Sequence, residues 1–256
     1  MKILKFKKQS KDKYKLYLDN NSDITLYEDV IIKNNLLITK EISDELLEAL
    51  KKQNNDMYAY TLALGYISVK MRSIKEINDY LIKKGFNNLV ANKVSERLIK
   101  EGYLNDLKYA KSFINDSMNL TNKGPQKIKM ELIKYGVNKD IIESEIALID
   151  QRKVEEKLNK LIDKDLKIKK GSQNAIKIKI INHFVNLGYS KDLVTSILTG
   201  KEITSDKSKL KKDYAKLYNK YKVKYNGQEL LYFISQKLYS KEYTASDIKE
   251  VLKEEN

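Results

Sequence analysis

The sequence predicts a mainly α-helical chain: about four tandem three-helix repeats with a helix-turn-helix look, stacked in an elongated, curved array behind a small N-terminal β-strand region. Three observations predict it. A frame recurs in which an apolar residue is followed four positions later by another, four later by glycine, and then at once by an aromatic or aliphatic residue. The closing marks fall at 85, 136, 188 and 242, separated by 51, 52 and 54 residues, a period that chance rarely sustains over four copies. An apolar-periodic helix precedes each copy, and the chain's start alternates apolar and polar residues instead, as strands do.

The elements follow in order. "KILKFKK", "KYKLYLD" and "DITLYED" read as three short strands, with "DNNS" (Asp19 to Ser22) as a turn. A short helical stretch follows at "EDVIIKNN", and Ser43 opens a helix with Asp44 and Glu45 in its first turn. "DMYAYTLALGYISVK" is expected as the first helix of repeat one. Ser73 then caps a helix through Ile77 and Leu81 to Gly85 and Phe86, and Val90, Val94 and Leu98 mark the next.

Repeat two has Asn105 as the cap of "DLKYAKSFINDSM". Its middle helix opens at Pro125, where a missing N–H costs nothing, and stops at Gly136. Ile128, Leu132 and Tyr135 share its inner stripe, with Lys127, Met130 and Lys134 opposite. Asn138 caps a third helix carrying Ile141, Ile142, Ile146 and Ile149. Repeat three runs from "QRKVEEKLNKLIDKDL" to Ile180, Phe184, Gly188 and Tyr189, then Val194, Ile197 and Leu198, keeping the spacing but not the cap. Repeat four keeps Ile234, Leu238, Tyr243, Ile248, Val251 and Leu252, with Glu242 in place of the glycine. The expected division is 1–42 for the strands, 43–104 for a linking helix and repeat one, 105–149, 150–200 and 201–256.

Composition excludes several classes. Without cysteine there is no disulfide framework, thiolate zinc site or cysteine nucleophile. No apolar run approaches membrane-spanning length and the lysine-broken start lacks a signal-peptide core, so a soluble cytoplasmic chain without membrane contact is expected. A net charge of +15 and a pI near 9.4 favour a polyanionic partner, although abundant Lys, Asn, Ile and Tyr also fit the coding bias of an AT-rich genome. The excess is +1 over residues 1–56, +4 over 57–105, +1 over 106–149, +5 over 150–200 and +4 over 201–256. The even balance of the strand region argues for protein docking there rather than DNA contact.

The parts for catalysis are missing. There is no glycine-rich phosphate loop, no HExxH and no Gly-x-Ser-x-Gly, and the single histidine, His183, beside stripe residue Phe184, reads as structural or surface. Acidic pairs such as Asp163/Asp165 read as solvated faces rather than metal ligands. No catalytic residue, metal or cofactor is expected. "KDLKIKKGSQNAIKIK" gathers lysines suited to phosphate contact. Tyr214, Tyr218, Tyr221 and Tyr225 recur at helical spacing and read as a packed stripe ahead of a base-stacking platform.

"YAYTLALGYISVKMRSIKEINDYLIKKGF", "LIKEGYLNDLKYAKSFI" and "NKGPQKIKMELIKYGV" together resemble the RecX family of bacterial RecA regulators, from Tyr58 to about Ile149. The strands and fourth repeat resemble the longer members of low-GC Gram-positive bacteria. In that family Gly-Pro begins the middle helix of repeat two and Arg72-Ser73 the corresponding helix of repeat one; Asn105 stands where aspartate is usual, and repeats three and four match only in apolar pattern. The resemblance implies a non-enzymatic, monomeric inhibitor that binds the RecA filament on DNA and modulates recombination, repair and the SOS response. The family fixes no site residues. Charge and exposure nominate Arg72, Lys83 and Arg97; Lys123, Lys127 and Lys134; and Lys169, Lys170, Lys177 and Lys179 for RecA or for single- and double-stranded DNA. Two other classes stay open, a helix-turn-helix-like DNA-binding regulator and a protein-binding helical scaffold. Only Arg72, Arg97 and Arg152 are available for base readout.

Overall fold

The computed structural model describes residues 1–254. Alternation in the first residues produces β1 (Ile3–Lys8), β2 (Lys13–Leu18) and β3 (Asp23–Tyr27), an antiparallel sheet in the order β1-β2-β3. Phe6 lies opposite Leu16, and Leu16 opposite Ile24. That register turns Leu16, Leu18 and Leu26 onto one apolar face, which packs with Val30 and Ile31 of α1 (Glu28–Lys33), Leu36 of α2 (Leu36–Thr39), Ile42 and Leu50. The edge of β3 is closed by a side chain. Asn54 accepts from the Tyr27 N–H at 2.9 Å and donates to the Thr25 carbonyl at 3.0 Å, pairing as a neighbouring strand would.

Ser43 caps α3 (Asp44–Ile67), as expected, but this helix is one 24-residue element. The separate helix expected from Asp56 is its continuation. No proline or cap interrupts the chain between Ser43 and Ile67, and Gly65 sits in the helix with open space beside it. One half of α3 therefore covers the sheet while Ala59, Tyr60 and Ala63 pack with Ile77 and Leu81 of α4 (Ile74–Lys83) and Val94 and Leu98 of α5 (Asn88–Lys100).

Three further three-helix units follow: α6 (Asp106–Leu120), α7 (Pro125–Lys134) and α8 (Lys139–Ala147); α9 (Gln151–Ile168), α10 (Gln173–Asn186) and α11 (Lys191–Thr199); α12 (Lys207–Tyr221), α13 (Gly227–Tyr239) and α14 (Ala245–Glu254). The chain folds as two compact units, Met1–Ala110 with Ile133–Ile141, and Lys111–Leu132 with the chain from Ile142 onward. Within the second, Val154, Ile176, Ile180, Phe184 and Val194 form one core and Leu210, Tyr214, Ile234, Leu238 and Val251 another. The tyrosine stripe packs as expected at three of its four positions, while Tyr218 is exposed with its ring 5.9 Å from that of Tyr214. Tyr214 is buried, and Tyr221 and Tyr225 lie against the Phe233 ring, each at 4.7 Å between centroids.

The recurring frame is a joint between repeats. Ser73 is fully buried; its oxygen accepts from the Glu76 N–H and its hydroxyl donates at 2.6 Å to the Tyr135 carbonyl, just before the left-handed Gly136. Ser172 does the same for α10, donating at 3.2 Å to the Lys241 carbonyl before left-handed Glu242. Repeat three thus has its cap. It lies four residues further back than expected because α10 carries an extra turn, with Ile176 filling it.

Repeat two, which has no serine at this position, makes the joint through the backbone of Gly124. The Gly124 N–H donates at 2.7 Å to the Leu187 carbonyl, before left-handed Gly188, and a Cβ on Gly124 would stand 2.6 Å from the Gly188 carbonyl carbon. Pro125 completes the arrangement. In repeats one and three the first helical N–H needs an acceptor, Asp106 for Ile74 at 3.0 Å and Ser205 for Gln173 at 3.1 Å. Proline has no N–H to satisfy there.

Candidate polyanion-binding surface

A lysine reaches a polyanion only if its ammonium is not already held by the fold, and on this criterion the ten nominated residues divide. Arg72 is held: it is 12% exposed, pairs with Glu76 at 3.1 Å and lies 3.8 Å over the Tyr66 ring, itself stacked on Tyr80. Arg97 lies 3.7 Å over Tyr60 and pairs with Glu101 at 2.8 Å. Burial, then the hydrogen bond to Glu101, pushes the Tyr60 phenol up to about 12, so it donates throughout the neutral range. Lys123 pairs with Glu131 at 2.5 Å and Lys169 with Asp165 at 3.0 Å.

The other six are open. Lys83, Lys127, Lys134 and Lys170 are exposed and Lys177 half-exposed, and among the described residues none has an acidic partner. Lys179 is exposed and donates at 3.3 Å to the Lys170 carbonyl, which brings those two residues together across the turn before α10. In the first unit, Lys134 sits where Lys75 reaches across from α4, donating at 3.2 Å to the Lys134 carbonyl. In the second, Lys127 flanks Gly188 in the glycine joint.

Lys170 also borders a groove of about 670 Å³ with Lys209, Lys212, Lys216 and Asn219 of α12. Sequence reasoning did not join these lysines to Lys170. Asp206 and Asp213 line the same groove, but Asp213 is occupied by Lys241 and the Tyr243 hydroxyl, both at 3.0 Å. A larger groove of about 820 Å³ lies between α6 and α9, lined by Lys153, Lys160 and Lys164. Its Lys157 has a structural task, donating to the Met118 carbonyl at 2.7 Å and the Lys123 carbonyl at 3.3 Å; burial lowers its pKa from the ordinary lysine value.

Among the described residues no three His, Asp or Glu side chains gather as a metal site, and His183 is a surface residue edge-on to Phe184 and 3.9 Å from Asp165. No helix among them is long and apolar enough to cross a membrane.

Comparison with known proteins decides the family. Models of the first and second three-helix domains of RecX match residues 59–98 and 105–144. The Regulatory protein RecX of Streptococcus uberis is 36% identical over 259 residues, covering 99% of both chains. The chain belongs to the RecX family. Another relative, Regulatory protein RecX of Staphylococcus haemolyticus, is 26% identical over 98% of this chain and 96% of its own. A crystal structure of regulatory protein RecX superposes with a TM-score of 0.69 at 22% identity, covering 77% of this chain and 98% of that one, which shows a shared fold. RecX from Lactobacillus salivarius gives 0.53 at 28% identity, over 57% of this chain and 96% of that one. The family match extends beyond the two motif-bearing repeats: the curated relatives align over the strands and the last two repeats as well.

Proposed function

We propose that this chain is a non-enzymatic regulator that binds the RecA nucleoprotein filament and its DNA and lowers RecA recombinase, ATPase and coprotease activity. The observation that carries this reading is the end-to-end match to regulatory RecX proteins. The open lysines support it: Lys83, Lys127, Lys134, Lys170, Lys177 and Lys179 present charge that the fold does not consume, suited to phosphate and to an acidic protein surface. On this reading the strand region 1–42 and the segments 43–104, 105–149, 150–200 and 201–256 are successive parts of one cytoplasmic monomer.

Arg72, Arg97, Lys123 and Lys169 take a different role, holding repeats rather than touching the filament, because their charges are already paired. The same pairing weakens a sequence-specific DNA-binding reading, since two of three arginines are withdrawn from base readout. The test is the single-stranded-DNA-dependent ATPase of the cognate RecA, titrated with substoichiometric protein while bare DNA is in excess. Inhibition is expected, and charge reversal at Lys127/Lys134 or at Lys170/Lys179 should relieve it. Absence of inhibition despite tight DNA binding would remove the RecA reading and put a DNA-binding regulator first.

A further inference from the structure

The near-zero net charge of residues 1–56 is an average over two opposed surfaces. Residues 1–27 carry seven lysines against three aspartates, and residues 28–56 four lysines against seven acids. The register then sorts the strand lysines by face. With Leu16 and Leu18 packed inward, the neighbouring positions of β2 point outward, and the outer face reads in cross-strand rows: Lys5, Tyr17, Asp23; Lys7, Lys15, Thr25; and Lys13, whose row ends in the buried Tyr27.

Four lysines on this face meet one acid, Asp23, which pairs with Lys15 at 3.0 Å. Lys13 lies over the Tyr27 and Tyr58 rings at 4.6 and 5.4 Å, and Lys15 lies over Tyr17 at 5.4 Å. Lys5 and Lys7 are exposed and, among the described residues, have no acidic partner. The fold gains nothing from placing Lys7 directly opposite Lys15, since like charges across a strand pair destabilise a sheet.

We propose that the open face of this sheet is a binding surface for single-stranded nucleic acid, with Lys5 and Lys7 on phosphates and Tyr17 offering its ring to a base. Alternate residues of a strand lie about 6.6 Å apart along the backbone, so Lys5 and Lys7 set two unpaired charges at a spacing that a flexible phosphate backbone can follow. An aromatic ring set among lysines is the sequence-tolerant arrangement that single strands use. The inference deepens the DNA-binding part of the proposed function and rests on it.

Fluorescence anisotropy of a labelled oligothymidylate with the full chain, without RecA and across a salt series, tests it. Lys5→Glu/Lys7→Glu is expected to weaken binding roughly tenfold, and Lys5→Gln/Lys7→Gln to flatten the slope of log affinity against log salt by about 1.4. Lys52→Glu, on α3, changes net charge by the same two units as the Gln pair and controls for it, and Tyr17→Leu should lower affinity without changing the slope. Circular dichroism and melting establish that each variant folds, and the Gln pair serves if the Glu pair does not. If the unaltered chain binds and the Lys5/Lys7 variants match it, the inference fails while the RecA reading stands, and these lysines only guard an edge strand. If the unaltered chain does not bind the single strand at any salt, the DNA part of the proposed function fails with it.

Discussion

Glu242 closes repeat four with φ at 64°, in the left-handed region where the three earlier repeats use Gly85, Gly136 and Gly188. A Cβ there costs about 1–2 kcal/mol, part of which glycine gives back through its greater freedom in the unfolded chain, so Glu242→Gly should raise stability by about 1 kcal/mol in urea unfolding. Two aspartates at the joints respond to pH with opposite sign. Asp247 would be raised by burial, but hydrogen bonds from Ser205 and Thr244 outweigh that and hold it below the ordinary 3.8. The unfolded chain therefore takes up this proton first, and the stabilisation is present above pH ~4 and lost as pH falls through the folded value. Asp106 is raised above 3.8, chiefly by burial and further by Glu76, against the bond from the Ile74 N–H. Its carboxylate is a cost that appears as pH rises through the raised value. Asp106→Asn keeps an oxygen for Ile74 and removes that cost: it should be more stable than the parent near neutrality, with the gain vanishing below pH ~4. Asp247→Asn should be less stable near neutrality and converge with the parent in acid. Urea midpoints across the pH range read both, and parallel curves for parent and variants would contradict the assignment.

Helices and their ends were legible where local chemistry fixes them. Ser73 caps, Pro125 starts and Gly136 stops because each acts on its own backbone within a turn. What the same residues do between repeats was not legible, because Ser73 meets Tyr135 across 62 positions and Ser172 meets Lys241 across 69. The extra turn of α10 hid Ser172 in the same way, since a frame counted from the glycine finds Ile176 at the expected cap. Lys209, Lys212 and Lys216 join Lys170 only after folding, and nothing in their local pattern names it. The glycines separate these roles by experiment. Gly85 has open space around it, so Gly85→Ala should cost only the left-handed backbone, about 1 kcal/mol. At Gly188 the added Cβ would stand 2.3 Å from the Lys127 nitrogen, against backbone that cannot yield. Gly188→Ala should also lose the bonds from Gly124 and Gln126, for a total of about 3 kcal/mol or more. Equal costs at the two glycines would mean that the joint carries no stability.

A charge of +15 counts lysines, whereas a polyanion counts only those the fold leaves free. Of the ten residues nominated for binding, four are spent on Glu76, Glu101, Glu131 and Asp165, and six remain. Genomic lysine bias and function therefore make different quantitative claims about the whole molecule. Each phosphate neutralised on a single strand contributes about 0.7 to the fall of log affinity with log salt. Six open lysines give a slope near −4, and adding Lys5 and Lys7 of the sheet carries it to roughly −6. Contact by all fifteen excess charges would require about −10. A salt titration of oligothymidylate binding should fall in the first range, and charge reversal at Lys127 and Lys170 together should flatten it by at least about 1.4, whereas the same change at Arg72 or Lys123 should act through stability and leave the slope in place. A slope near zero would identify a protein-binding scaffold whose lysines are composition alone, and a slope well beyond −6 would bring in open lysines outside these eight, such as Lys209, Lys212 and Lys216.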